Sequence, residues 1–175
     1  MKTRPDNTDP APEPWLRGVL PDVEPLTGHL LRASEHIQED VEEALRGLTP
    51  TQLWATPHGM TSAGFHAKHL AGSTERLCTY LGGAALTEEQ IRAVALESNG
   101  NQTAPELLSE IKAAFRRYEQ LVRQLRPESF GSLREVGRKR LPVTAVSLAI
   151  HIAEHGQRHM GQLVSAARLA RATTL

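Results

Sequence analysis

Residues 150–162 read IHIAEHGQRHMGQ and place His151, His155 and His159 at intervals of four residues. An α-helix advances about 100° per residue, so side chains four residues apart lie on almost the same helical face. The spacing therefore predicts a helix on which three imidazoles form one stripe. Since neutral imidazole is the commonest protein ligand for metals at neutral pH, the stripe indicates a divalent metal site.

Core histidines are the alternative interpretation of this stripe. A single buried histidine is more often a core residue that bonds a carbonyl group than a metal ligand, but three on one face would each need a separate partner. The stretch also lacks the H-E-x-x-H pattern of metalloproteases, since Ile152 and Gly156 follow the first two histidines. Any further ligand must therefore come from another part of the chain.

The composition narrows the class of protein. The chain has 175 residues, enough for one domain with a full core. Its 20 Lys and Arg residues balance its 20 Asp and Glu residues, which argues against binding to nucleic acid or to a membrane surface. No apolar run approaches the length of a membrane span, and the first residues lack the pattern of a secretory signal. The single cysteine, Cys78, excludes an intramolecular disulfide, so we expect a cytoplasmic protein.

The pattern of apolar residues predicts a helical protein in two parts. Residues 1–22 form a proline-rich tail, and residues 23–175 form the folded domain. Four long helices are expected, together with a short helix after Thr87 and loops at residues 97–102 and 128–141. The long helices are expected to run from about Pro25 to Gly47, Ser62 to Leu81, Thr103 to Pro127 and Pro142 to Arg171. With no convincing strand, this pattern predicts an all-α four-helix bundle, a fold that commonly holds metals between facing helices.

The second of these helices carries two more histidines, His66 and His69. Arg76 and Tyr80 share the helical face of His69, and a face of this polarity predicts the lining of a pocket rather than a plain core. Arg76 and Tyr80 either hold an anionic group of a substrate or close the core by hydrogen bonding, and the second role is favoured. His58, in the loop before this helix, is expected at the surface.

A second, apolar stripe lies on the opposite side of the fourth helix and consists of Val146, Ile150, Ala153, Met160 and Val164. A surface helix normally has one apolar stripe, so two stripes indicate burial on both sides. We expect part of the apolar stripe to form a homodimer about a two-fold axis. The alternative is a monomer in which the segment from Trp15 to Leu20 covers the stripe.

Two motifs resemble those of the DinB/YfiT-like family. The first is SAGFHAKHLAGS at residues 62–73, followed on the same helix by Glu75, Arg76, Leu77 and Tyr80. The second is HGQRHMGQL at residues 155–163, which is similar to the family's C-terminal H-x3-H-x-G-Q motif. The resemblance covers about residues 23–170.

This resemblance implies a four-helix bundle in an up-down-down-up order, in agreement with the helical pattern. It also implies a metal held by one histidine of the second helix and two of the fourth, which correspond to His69, His155 and His159. His66 and His151 become neighbours of this triad. The Gly-Gln pair that ends at Gln162 identifies His155 and His159, rather than His151 and His155, as the two histidines of the C-terminal motif. Gln162 is expected to line the pocket. Members of the family commonly dimerise.

Three neutral imidazoles leave an open position on a divalent ion, which is typical of catalytic sites, where bound water reaches a pKa of about 7. We expect zinc first and nickel second as the metal. The family resemblance implies either a metal-dependent hydrolase or a transferase that uses a low-molecular-weight thiol, and both chemistries remain open for an unidentified small-molecule substrate. Glu75 and Glu154 point away from the histidine stripes, so no general base is assigned.

Two classes of protein compete with an enzyme. One is a non-catalytic metal-binding or stress-related helical protein, in which the metal stabilises the bundle. The other is a helical interaction module whose histidines are core residues. Metal content separates the interaction module from the other classes, and turnover separates the enzyme from the non-catalytic metal-binding protein.

Overall fold

The computed structural model describes residues 11–98 and 100–173, so the first ten residues of the predicted tail lie outside the described residues. The described part contains six α-helices: α1 (Pro25–Leu45), α2 (Pro50–Trp54), α3 (Ala63–Leu81), α4 (Glu88–Val94), α5 (Ala104–Gln124) and α6 (Ala145–Thr173). Two short strands, β1 (Leu133–Val136) and β2 (Leu141–Thr144), lie between α5 and α6 in the chain. The prediction of an all-α protein is therefore confirmed in part: the described residues are mostly helical, but the two strands were not predicted.

The four long helices pack against one another around a common core. Both α1 and α3 contact α5 and α6. The largest fully buried side chains of the core include Tyr118, Phe115, Ile37, Leu53 and Leu70. Over the described ranges, no helix combines the length and apolarity needed to cross a membrane. This packing makes α3 and α6, the two helices that carry the histidine motifs, direct neighbours.

Local capping explains where most of the helices begin. The Ser62 hydroxyl accepts a hydrogen bond from the Phe65 amide at 3.1 Å and starts α3 at the predicted position. Thr87 and Gln90 form a capping box at α4, and the Thr103 amide donates to the Glu106 carboxylate at the start of α5. Each cap satisfies backbone amides that the first helical turn leaves without an intrahelical partner.

The connection before α6 differs from the prediction of a loop followed by a helix that begins at Pro142. Strands β1 and β2 form an antiparallel pair, in which Pro142 lies opposite Glu135. Proline is tolerated in an edge strand, where its missing amide interrupts no ladder bond on the open side. Four residues per strand are too few for a clear alternating pattern, so no strand was predicted here. Helix α6 begins three residues later than predicted, at Ala145.

Gly156 allows α6 to approach α1 closely next to His155. A Cβ atom at Gly156 would lie 2.7 Å from Cδ1 of Ile37 and 3.4 Å from Cζ of Phe115. Since carbon atoms in a packed core do not approach to 2.7 Å, a larger residue would require either the end of the Ile37 side chain or α6 itself to move. The glycine therefore helps to set the depth of the histidine stripe in the fold.

A charged residue, Arg17, links the segment before α1 to that helix. Arg17 contacts the carboxylates of Glu35 at 2.6 Å and Glu39 at 2.5 Å, both on α1. Trp15 and Val19, in the segment that was offered as a cover for the apolar stripe, remain 57% and 95% exposed. Ion pairs, with partial burial of Leu20, thus attach this segment to α1.

Candidate metal centre

Three histidines from two helices converge at one point of the structure. His69 lies on α3, whereas His155 and His159 lie one turn apart on α6, and each offers a ring nitrogen within 4.8 Å of the others. The Nε2 atoms of His69 and His155 are 3.2 Å apart, and the ring centres of His69 and His159 are 4.4 Å apart. The structure thus brings together the three residues that the family resemblance implied as metal ligands.

The three rings are only partly buried, so solvent reaches the cluster. The side chain of His69 is 22% exposed. The ring of Phe65 stacks against that of His69 at a centroid distance of 5.6 Å and an interplanar angle of 13°. The helices thus support the cluster while part of each ring remains exposed.

Glu97 is a member of the site that sequence reasoning missed. Its Oε2 atom lies 2.6 Å from Nδ1 of His69, and its Oε1 atom lies 2.7 Å from Nη1 of Arg76. The residue is only 4% exposed, although it follows α4 in a segment that was predicted to be a loop. Nothing in the sequence around Glu97 marks it, because the contact joins residues 28 positions apart. Arg76 thus pairs with a carboxylate of the protein itself.

His66 and His151 have different surroundings, although both were expected near the triad. His66 is 8% exposed, and its Nδ1 atom lies 3.3 Å from Nδ1 of His159. The side chain of His151 is 49% exposed, and its ring centre is 5.8 Å from that of His155. His66 is therefore an inner neighbour of the cluster, whereas His151 lies at its solvent edge.

The other residues considered from the sequence lie farther from the three rings or at the surface. Gln162 and His58 are exposed, and the Tyr80 ring packs against the apolar core. Glu75 forms an ion pair with Arg117 of α5. These positions do not add a ligand to the cluster.

The burial of the histidines favours the neutral form that metal binding requires. Burial, together with the proximity of His69, lowers the pKa of His155 to about 4 and that of His159 to about 4. Burial works against ionisation of Glu97, but the hydrogen bond with His69 and the positive charge of Arg76 outweigh it and lower the pKa of that carboxyl. At neutral pH the rings of His155 and His159 are therefore neutral, and the Glu97 carboxyl beside His69 is ionised.

Gly72 makes room for the pair of Arg76 and Glu97 against α3. A Cβ atom at Gly72 would lie 2.8 Å from Nη1 of Arg76 and 2.8 Å from Oε1 of Glu97. Glycine within a helix costs roughly 0.5–1 kcal/mol relative to alanine, so its presence here indicates a packing requirement. The requirement is the close approach of the Glu97 carboxylate to the helix that carries His69.

Comparison with known proteins agrees with the sequence motifs. The model of the DinB superfamily matches residues 33–163, a range that includes all three clustered histidines. No curated protein matches the chain.

We predict that Gly72→Ala lacks the stabilisation that alanine normally gives in a helix. Gly161→Ala is the matched control, because a Cβ atom at Gly161 on α6 would have no atom within 4 Å. The control should raise the free energy of unfolding by roughly 0.5–1 kcal/mol. Gly72→Ala should leave it unchanged or lower it, since the new methyl group displaces the buried ion pair. Urea unfolding measures both, and an equal gain for the two variants would contradict the packing role of Gly72.

Proposed function

The chain belongs to the DinB superfamily, and from this premise we propose that it is a metal-dependent enzyme whose metal is held by His69, His155 and His159. The observation that carries the proposal is the convergence of these three ring nitrogens within 4.8 Å of one another. Three neutral nitrogen donors suit zinc, nickel or copper and disfavour magnesium and calcium. We propose zinc as the first candidate and nickel as the second.

A catalytic rather than purely structural role is supported by the number of ligands and by their exposure. Structural zinc sites usually have four protein ligands, whereas catalytic sites have three and keep an open position. The cluster is partly exposed, so solvent contacts it. A divalent ion bound there supplies Lewis-acid activation of a water molecule or of a thiol. We therefore propose either hydrolysis or transfer to a low-molecular-weight thiol as the reaction class.

The roles of the surrounding residues follow from their contacts. His155 and His159 present lone pairs because burial keeps the rings neutral at physiological pH. Phe65 covers one face of the His69 ring and limits the movement of that ring. Glu75 and Glu154 are not proposed as general bases, since Glu75 pairs with Arg117 and Glu154 is exposed beside His151.

We also propose that the four long helices form a bundle in the up-down-down-up order. The contacts of α1 and α3 with both α5 and α6 support this arrangement. The long connection from residue 82 to residue 103, which includes α4, is sufficient for a crossover between parallel neighbours α3 and α5. In this order, α3 and α6 are antiparallel.

A homodimer is proposed through the face of the apolar stripe on α6. Ala153 is buried within the subunit, while Ile150, Met160 and Val164 pack only partly against the core. Ile150 and Ala153, together with Trp15 and Leu26, line a groove of about 430 Å³ between α1 and α6. The apolar part of this groove supports self-association, because packing against a second copy of the chain would remove exposed apolar surface from water.

We predict that metal-free protein gains thermal stability when zinc or nickel is added. A ligand that binds only the folded state at 100 times its Kd contributes about 2.7 kcal/mol. His155→Ala should abolish this gain, because it removes one of three ligands. His58→Ala should retain it, since that side chain is exposed on the loop before α3. Differential scanning fluorimetry measures the shift in Tm, and the absence of any gain with either ion in the unaltered protein would overturn the metal site.

We predict a metal-dependent turnover in a screen that contains esters and, separately, low-molecular-weight thiols with electrophiles. Activity should appear on addition of zinc or nickel and disappear in His155→Ala. Release of alcohol from esters would identify hydrolysis, and thiol-dependent consumption of the electrophile would identify transfer. Metal binding with no turnover in either arm would instead indicate the non-catalytic metal-binding protein.

We predict a dimer in sedimentation velocity at a protein concentration on the order of tens of micromolar. A specific homodimer is populated when the protein concentration exceeds its Kd. Ile150→Glu or Val164→Glu should produce monomers, because each places a charge in the apolar stripe. Both variants should still bind metal, since the stripe lies on the side of α6 opposite the histidines. A monomer in the unaltered protein that stays monomeric after deletion of residues 1–20 would rule out the dimer.

A further inference from the structure

We propose that Glu97 is a positioning residue that fixes the ring of His69 so that Nε2, rather than Nδ1, is the metal ligand, and that Arg76 holds the Glu97 carboxylate in place. This inference rests on the proposed metal-dependent function and extends it to a residue outside the three ligands. It follows from the contacts of the two ring nitrogens of His69.

The two ring nitrogens of His69 have different partners. Nδ1 lies 2.6 Å from Oε2 of Glu97, while Nε2 lies 3.2 Å from Nε2 of His155. An ionised carboxylate only accepts hydrogen bonds, so Nδ1 must donate to it. In the neutral ring the single hydrogen is then on Nδ1, and the lone pair of Nε2 points into the histidine cluster. Carboxylate groups behind histidine ligands commonly fix the tautomer and the orientation of the ring in this way.

The charge of Glu97 is maintained although the residue is buried. A buried carboxylate is destabilised unless it is paired and hydrogen-bonded, and Glu97 is only 4% exposed. Arg76, whose side chain is 12% exposed, supplies the opposite charge at 2.7 Å from Oε1. One carboxylate oxygen thus contacts the arginine and the other contacts the histidine. The pair is neutral as a whole and leaves Oε2 available as an acceptor for His69.

The segment that carries Glu97 is held in place by Trp54. The indole Nε1 atom of Trp54 donates a hydrogen bond to the carbonyl oxygen of Gln102 at 2.8 Å. A Cβ atom at Gly100 would lie 1.8 Å from Cη2 of Trp54, so the backbone of the segment lies directly against the indole. Gly72 gives the carboxylate the corresponding space on α3. Two contacts with Trp54 thus hold the segment that carries Glu97, and Gly72 leaves room for its carboxylate beside α3.

The first test needs no variant and no metal. Long-range ¹H–¹⁵N correlation spectra of histidine-labelled, metal-free protein at mildly alkaline pH report which ring nitrogen carries the hydrogen. We expect His69 to be protonated at Nδ1 and unprotonated at Nε2. In Glu97→Gln the preference for this tautomer should weaken, because a neutral amide is a weaker acceptor than a carboxylate. A His69 ring that carries its hydrogen mainly on Nε2 in the unaltered protein would overturn the proposal.

The second test measures zinc affinity by competition with a chromogenic chelator. Glu97→Gln should weaken binding by about 10–100-fold, the usual effect of removing the hydrogen-bond partner of a histidine ligand. Glu119→Gln is the matched control, because Glu119 accepts from Ser34 at 2.7 Å and from Gln38 at 3.1 Å and is not a partner of the three histidines. The control should bind zinc as tightly as the unaltered protein. Circular dichroism establishes that both variants fold.

The outcomes separate the two proposals. No zinc binding by the unaltered protein would overturn the metal-dependent function, and the positioning role with it. Equal affinity in the unaltered protein and in Glu97→Gln would overturn the positioning role alone and leave the three-histidine site intact. A similar loss of affinity in Glu97→Gln and Glu119→Gln would also overturn it, because the loss would then reflect general destabilisation.

Discussion

The contact between α3 and α6 is the constraint on which the site depends. Neither helix carries the whole cluster, since α3 contributes His69 and α6 contributes His155 and His159. The approach of α6 to the core at Gly156 helps to set the depth of the two α6 histidines. Because packed helices meet at distances fixed by the side chains between them, a small residue at such a contact controls the position of its neighbours.

The electrostatic arrangement of the site follows from this packing. Burial between helices keeps His155 and His159 neutral, since a charged imidazole loses hydration when it is buried. The same burial would leave Glu97 as an unfavourable isolated charge, but Arg76 and His69 provide its partners. The interior thus places neutral nitrogen donors on one side of His69 and a compensated carboxylate on the other.

Much of the fold could be predicted because its signals are local. The caps at Ser62, Thr87 and Thr103 lie within three residues of the amides they satisfy, and the helices begin there. The hairpin before α6 could not be predicted, because each strand has only four residues and one of them contains a proline. Strand pairing depends on the partner strand and its register, and a short isolated segment carries little of that information.

The histidine stripe on α6 follows from the sequence alone, since the interval of four residues fixes a shared helical face wherever the helix lies. The sequence also identified His69, through the resemblance of its motif to the DinB/YfiT-like family. The positions of His66 beside His159 and of His151 at the solvent edge depend instead on how the helices pack. The tertiary structure alone revealed Glu97, because that carboxylate reaches His69 through the packing of the segment after α4 on Trp54 and α3. Contacts between distant parts of the chain arise from packing, and no local pattern encodes them.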